Sequence, residues 1–233
     1  MRKESFLGIL AFVVLAMMIT SPAFAGPILA YENIGASWTD IDGLFSVPLG
    51  EWGLDDLNVV GGGDLVSLTF AYGSLPGFFT PVSTADADVM LVVDDGNGAY
   101  GSEDTLIYTE NFRELTCSSS APGAAYYLGQ HTVNFDPGDV VIPSGARIWA
   151  GLRFSNQIAG NTMQAVFFGP PTVGSTNGFV YAEDVGAGGL PHVIAMAAPA
   201  DAGLGFALSV IPEPTSLTLF ALGAMSLLCR RRC

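Results

Sequence analysis

The chain has 233 residues, with 29 Gly, 14 Pro and 13% charged side chains, and a formal net charge of −14. Residues 26–210 hold three arginines (Arg113, Arg147, Arg153) against 20 acidic side chains, a net of −17, and a field of that sign argues against nucleic-acid and anionic-membrane partners. With Lys3 the sole lysine, a surface of helices laced with charge pairs is also excluded, and frequent Gly and Pro between short apolar runs favour a turn-rich β-protein.

The first element is an export signal. Arg2 and Lys3 precede 14 apolar residues, 6–19, and Pro22 then breaks the helix before Ala23-Phe24-Ala25. Small side chains at Ala23 and Ala25 suit signal peptidase, and the apolar run is short for a transmembrane span. The expected domain boundaries are a signal peptide over 1–25, one β domain over 26–210 and a C-terminal segment over 211–233. A domain of that length buries a core without staples. Only Cys117 of the three cysteines lies in it, so no disulfide framework holds it.

Strands are expected at 28–34, 66–72, 89–93, 106–109, 126–135, 147–154, 163–168, 179–182, 192–196 and 205–210. Residues 66–72 alternate, with Leu68, Phe70 and Tyr72 on the large-residue face. Residues 147–154 place Ile148, Ala150, Leu152 and Phe154 on one apolar face, whereas 89–93 form a continuous apolar run that suits a central strand. Turn formers separate these runs, as in Asp94-Asp95-Gly96-Asn97-Gly98 and Asp136-Pro137-Gly138-Asp139. No long amphipathic helical pattern interrupts them. The expected fold is all-β: an antiparallel β-sandwich, jelly-roll-like, of nine or ten strands.

Candidate sites are few. The loop over 94–104 offers Asp94, Asp95, Asn97, Glu103 and Asp104 as oxygen ligands, a donor set that suits Ca2+. Its spacing is not that of an EF-hand, and a solvated hairpin loop explains the same residues. Trp149 between Arg147 and Arg153 falls on the face opposite Ile148, where it either stacks on a sugar ring of an acidic polysaccharide or is covered by a loop. His131 and His192 show no zinc spacing, and Cys117 has no evident base. No catalytic motif of the hydrolase, metalloprotease or phosphate-loop type is present, so a non-enzymatic protein is expected, with no catalytic residues to name.

The tail reads Pro212-Glu213-Pro214-Thr215-Ser216, then 13 mostly apolar residues, 217–229, then Arg230-Arg231-Arg232-Cys233. Flanking prolines keep Glu213 extended and accessible. A 13-residue helix spans about 20 Å, less than the ~30 Å hydrocarbon core. Arg230, Arg231 and Arg232 stop transfer and stay cytoplasmic. This three-part tail resembles the PEP-CTERM sorting domain. The resemblance covers about the last 23 residues. It implies a bacterium that makes extracellular polysaccharide, transient residence in the inner membrane, and processing by exosortase, a membrane-embedded cysteine peptidase that acts at Pro212-Glu213-Pro214. It also implies surface or extracellular localisation with a structural or adhesive role linked to exopolysaccharide. A carbohydrate-binding module and an extracytoplasmic hydrolase are the alternative functions.

Overall fold

The computed structural model describes residues 26–34, 41–45, 50–74, 84–117, 119–120, 127–155, 163–176, 179–183, 190–197 and 203–212. The expected signal peptide over 1–25 and the tail beyond Pro212 lie outside the described residues. So do Ala23, Ala25, Glu213, Pro214, Arg230, Arg231 and Arg232.

The strands in chain order are β1 (Ile28–Glu32), β2 (Ile41–Phe45), β3 (Glu51–Asn58), β4 (Gly63–Ser74), β5 (Thr84–Val93), β6 (Thr105–Thr116), β7 (Ser119–Ser120) and β8 (Tyr127–Asn134). There follow β9 (Val141–Ile142), β10 (Arg147–Ser155), β11 (Met163–Phe168), β12 (Phe179–Glu183), β13 (His192–Ala197), β14 (Gly203–Leu204) and β15 (Phe206–Pro212). Each of the ten expected runs overlaps a strand, though β4, β5 and β6 extend well beyond the runs expected for them. Five further strands, β2, β3, β7, β9 and β14, were not expected.

The strands form two sheets, and every pairing among the described residues is antiparallel. One sheet runs β13-β12-β3-β10-β5-β6. The other is built around β4, with β15 and β1 beyond one edge and β8 along the other. The main core contains residues of both sheets, among them Leu68, Phe70, Phe206 and Leu208 from the second and Leu57, Val89, Leu91, Ile148, Leu152 and Phe154 from the first. In β10 the even residues Ile148, Ala150, Leu152 and Phe154 point inward, and in β4 Leu68, Phe70 and Tyr72 do, with Leu65 joining them after a register shift against β15 between Ser209 and Val210.

A second apolar cluster lies on the opposite face of the six-stranded sheet. It joins Trp52, Leu54, Met90, Val92, Trp149, Val180 and Ala182 with Tyr100 of the loop after β5. The sheet is therefore covered on both faces there, which accounts for the unbroken apolar run 89–93: Val89 and Leu91 face the common core while Met90 and Val92 face outward under cover. Gly151 makes room in this layer, since a Cβ there would meet Leu54 Cδ2 at 2.7 Å and Met90 Cγ at 2.8 Å.

Strand β6 ends the six-stranded sheet. Its register against β5 shifts twice, and at one shift Glu114 sits at φ 54° with its N–H donated to Asp86 Oδ1 at 3.0 Å. Bulges plus exposed Glu110, Arg113 and Glu114 blunt the edge against pairing with another chain.

Candidate functional site

The acidic loop between β5 and β6 is organised by its own side chains. Asp94 Oδ1 accepts the N–H groups of Gly96 at 2.6 Å and Gly98 at 3.2 Å. Asp95 Oδ1 accepts from Asn97 N–H at 2.9 Å, and Asn97 Oδ1 accepts from Ala99 N–H at 2.6 Å. These are successive Asx turns, the reason Asp and Asn suit this segment. Gly96 and Gly98 take φ of 98° and 79°, a left-handed region that favours glycine. Asp104 closes the loop by accepting Asp95 N–H and Gly101 N–H, each at 2.9 Å.

The loop is fastened to the sheet at three points. Trp149 Nε1–H donates to Asp94 Oδ2 at 3.3 Å, and Arg147 Nη1–H donates to the Gly98 carbonyl at 2.8 Å. Tyr100 stands edge-on to Trp149, with centroids 5.7 Å apart. The Tyr100 hydroxyl is buried without a hydrogen-bond partner in the structure.

Three of the five expected Ca2+ ligands come together. Carboxylate oxygens of Asp94, Asp95 and Asp104 all lie within 4.8 Å of one another. Glu103 does not join them, and Asn97 spends its side-chain oxygen on the turn. Burial holds the Asp104 carboxyl above the ordinary carboxylate range, and the neighbouring Asp94 and Asp95 raise it further against the pull of its two backbone donors. Such a cluster has the chemistry to receive a hard divalent cation, at the cost of three crowded carboxyl groups when empty.

Of the two readings of Trp149, packing agrees with the covered one. Trp149 is 3% exposed, because the loop carrying Tyr100 lies over it. Arg147 Nε sits 3.7 Å from Asp56 Oδ2, and Arg153 Nη2 lies 2.7 Å from Asp88 Oδ2. The Arg153 guanidinium also caps Trp52, 4.8 Å from the ring centroid. Both arginines are engaged with carboxylates, and neither flanks an open ring face.

Cys117 is buried, and its thiol donates to Met163 Sδ at 3.4 Å. Burial pushes its pKa up to about 12, far from a nucleophile's range. His131 stacks obliquely on Phe70 and Phe112, with centroids 5.6 and 4.8 Å away. The His192 side chain lies outside the described residues.

A second polar constellation was not anticipated from the sequence. Asp55 of β3 is fully buried, and it accepts Leu204 N–H on Oδ2 at 2.7 Å. Thr176 Oγ1 lies 2.5 Å from Asp55 Oδ1 and 3.1 Å from Asp56 Oδ1. Burial pushes the Asp55 carboxyl up to about 8, against the lowering effect of its Thr176 and Leu204 hydrogen bonds, with Asp56 raising it further. The pKa of the Tyr31 hydroxyl is raised by burial and by Asp55 and Asp56, against the lowering effect of the neighbouring Asn33 side chain. The available signal was the pair Asp55-Asp56 between apolar residues, which period-two reasoning places on opposite faces of a strand.

Residues 210–232 match the family model of the PEP-CTERM protein-sorting motif. No curated protein and no solved structure matches the chain. The match falls on the Pro212-Glu213-Pro214 tail and indicates an exported protein addressed to exosortase.

Proposed function

We propose that this chain is a cell-surface or extracellular-matrix protein whose β domain has a structural or adhesive role beside exported polysaccharide. Signal peptidase removes residues 1–25 after Ala25. Exosortase then acts at Pro212-Glu213-Pro214, and the apolar segment 217–229 with Arg230, Arg231 and Arg232 is left behind. The observation that carries the reading is the sorting-motif match over residues 210–232. The architecture that goes with it is an antiparallel β-sandwich of jelly-roll-like type, supported by the core shared between the two sheets.

The position of the motif adds a physical constraint. Pro212 is the last residue of β15, opposite Gly63 of β4. Residues 213–216 alone separate it from the apolar segment, and four extended residues reach ~14 Å. Before cleavage the acidic domain is held close to the membrane surface, and removal of the tail releases it. That charge opposes re-adsorption to anionic headgroups.

Intact-mass analysis of the mature protein, with fractionation of the producing cells, tests this reading. A C-terminus near Pro214 in the surface fraction is expected. A membrane-bound product that keeps Arg230–Arg232 refutes exosortase processing in favour of a plain anchor.

A second reading concerns the ligand rather than the address. The approach of Asp94, Asp95 and Asp104 to within 4.8 Å favours a Ca2+ ion that fastens the loop over Trp149. Carbohydrate binding through Trp149 draws no support from a ring this buried, and Asp104, with both oxygens bonded to backbone N–H groups, lends none to an acid-pair hydrolase.

A further inference from the structure

Asp55 and Asp56 are consecutive in β3, so the strand sends one carboxylate to each face of the sheet. Asp55 faces the common core, flanked across the sheet by Ala150 of β10 and Phe179 of β12. Asp56 lies on the other face, with Arg147 at 3.7 Å. Thr176 closes the gap between them at the rim of the sheet. The segment carrying Thr176 is pinned to β3 by Asn58 N–H donated to the Ser175 carbonyl at 2.8 Å.

The hydroxyl of Thr176 has one proton and two carboxyl oxygens within hydrogen-bond distance, 2.5 Å to Asp55 and 3.1 Å to Asp56. It makes a full hydrogen bond to only one of them. The other contact becomes a good bond only if that carboxyl brings a proton of its own. The arrangement that satisfies every group is a chain: the Asp55 carboxyl O–H donates to Thr176 Oγ1, and Thr176 O–H donates to Asp56 Oδ1. Asp56 is the accepting end of the chain, because Arg147 stands beside it, 3.7 Å away. Asp55 Oδ2 remains the acceptor for Leu204 N–H, which joins β3 to β14 in the other sheet.

We propose that Asp55, Thr176 and Asp56 hold one trapped proton that latches the two sheets together, and that losing this proton in alkaline solution loosens the seam. Among the described residues, the surroundings supply no replacement charge. Among the described residues, the groups facing Asp55 are Tyr31 of β1, Asn33 just after β1, Thr176 from the segment before β12, the backbone of Gly203–Leu204, and Asp56 of its own strand. None of these is a cation. The packing is also close: a Cβ at Gly203 would lie 2.6 Å from Asp55 Oδ2 and 2.8 Å from Asn33 Nδ2. Little room remains for water to solvate an ionised Asp55.

The direction in pH follows from linkage. An unfolded Asp ionises near 3.9, whereas the folded chain keeps this proton until about 8. Between those values the folded state binds one more proton than the unfolded state. Stability from this group is therefore complete below about 4 and falls as pH rises, by up to about tenfold in the folding constant per pH unit, until about 8. Carboxylates held by cations have the opposite slope.

The test compares the full-length chain with Asp55→Asn in melting and urea unfolding from roughly pH 5 to pH 9. Asparagine reproduces the protonated acid: its amide N–H donates to Thr176 Oγ1 and its oxygen accepts from Leu204 N–H. The variant should match the native chain at the acid end and exceed it at the alkaline end, the gap widening by up to about tenfold in folding constant per unit. Parallel curves across the range would overturn the latch. Infrared spectroscopy of the native chain at neutral pH gives a readout that needs no variant. It should show the carbonyl stretch of a buried carboxylic acid, insensitive to deuterated buffer exchange on the minute scale, and its absence overturns the proposal even if Asp55→Asn fails to fold.

Discussion

Replacing Asp104 by alanine tests how the loop over Trp149 is held. Asp104 is 7% exposed, and its two oxygens accept the N–H groups of Asp95 and Gly101 at 2.9 Å each. Two hydrogen bonds to a charged acceptor contribute about 1.5–3 kcal/mol each at most. Two effects reduce that total. Asp95 is exposed, so water reaches its freed N–H, and removing Asp104 relieves its repulsion by Asp94 and Asp95. A net loss of about 2 kcal/mol is expected. A domain of this size shifts by about 2–4 °C per kcal/mol, so the melting temperature should fall by about 4–8 °C. Asp104→Asn keeps one acceptor oxygen and should lose about half as much. Because Tyr100 covers Trp149, acrylamide quenching of tryptophan fluorescence should rise in the alanine variant before global melting. A melting temperature within about 1 °C of the native chain, with unchanged quenching, would refute the claim that Asp104 organises the loop.

If Ca2+ fills the Asp94, Asp95 and Asp104 cluster, millimolar Ca2+ raises the melting temperature, by about 2.7 kcal/mol of stability at a hundredfold excess over Kd. Asp94→Ala abolishes the rise, and a native chain with no response to Ca2+ ends that reading. Cys117 should resist maleimide labelling in the folded chain at neutral pH, since its thiol is buried against Met163 and pushed up to about 12. Rapid native labelling at the rate of an unfolded control would contradict that placement.

Much of this protein is legible in one dimension. The sorting segment, and the expectation of an export signal at the other end, are read by linear order alone: charge, apolar length, prolines, arginines. The strands with clean alternation, β4 and β10, are legible because one buried face imposes a period of two on any sequence that occupies it. The loop over 94–104 is legible for the same local reason, since Asp, Asn and Gly bond to their own backbone two residues on.

Other features depended on what lies across space. Strand β3 carries Gly53, Asp55, Asp56 and Asn58, poor strand formers, and it becomes a central strand only because β10 and β12 pair with it on both sides. Trp149 faces away from the main core as alternation requires, yet it is buried, because a loop 49 to 55 residues distant in sequence folds back over it. The Asp55–Thr176 contact joins residues 121 positions apart. Alternation assigns a side chain to a face of its sheet. Whether that face is wet, covered or charged is decided by which other segments pack on it, and a local pattern carries no record of them.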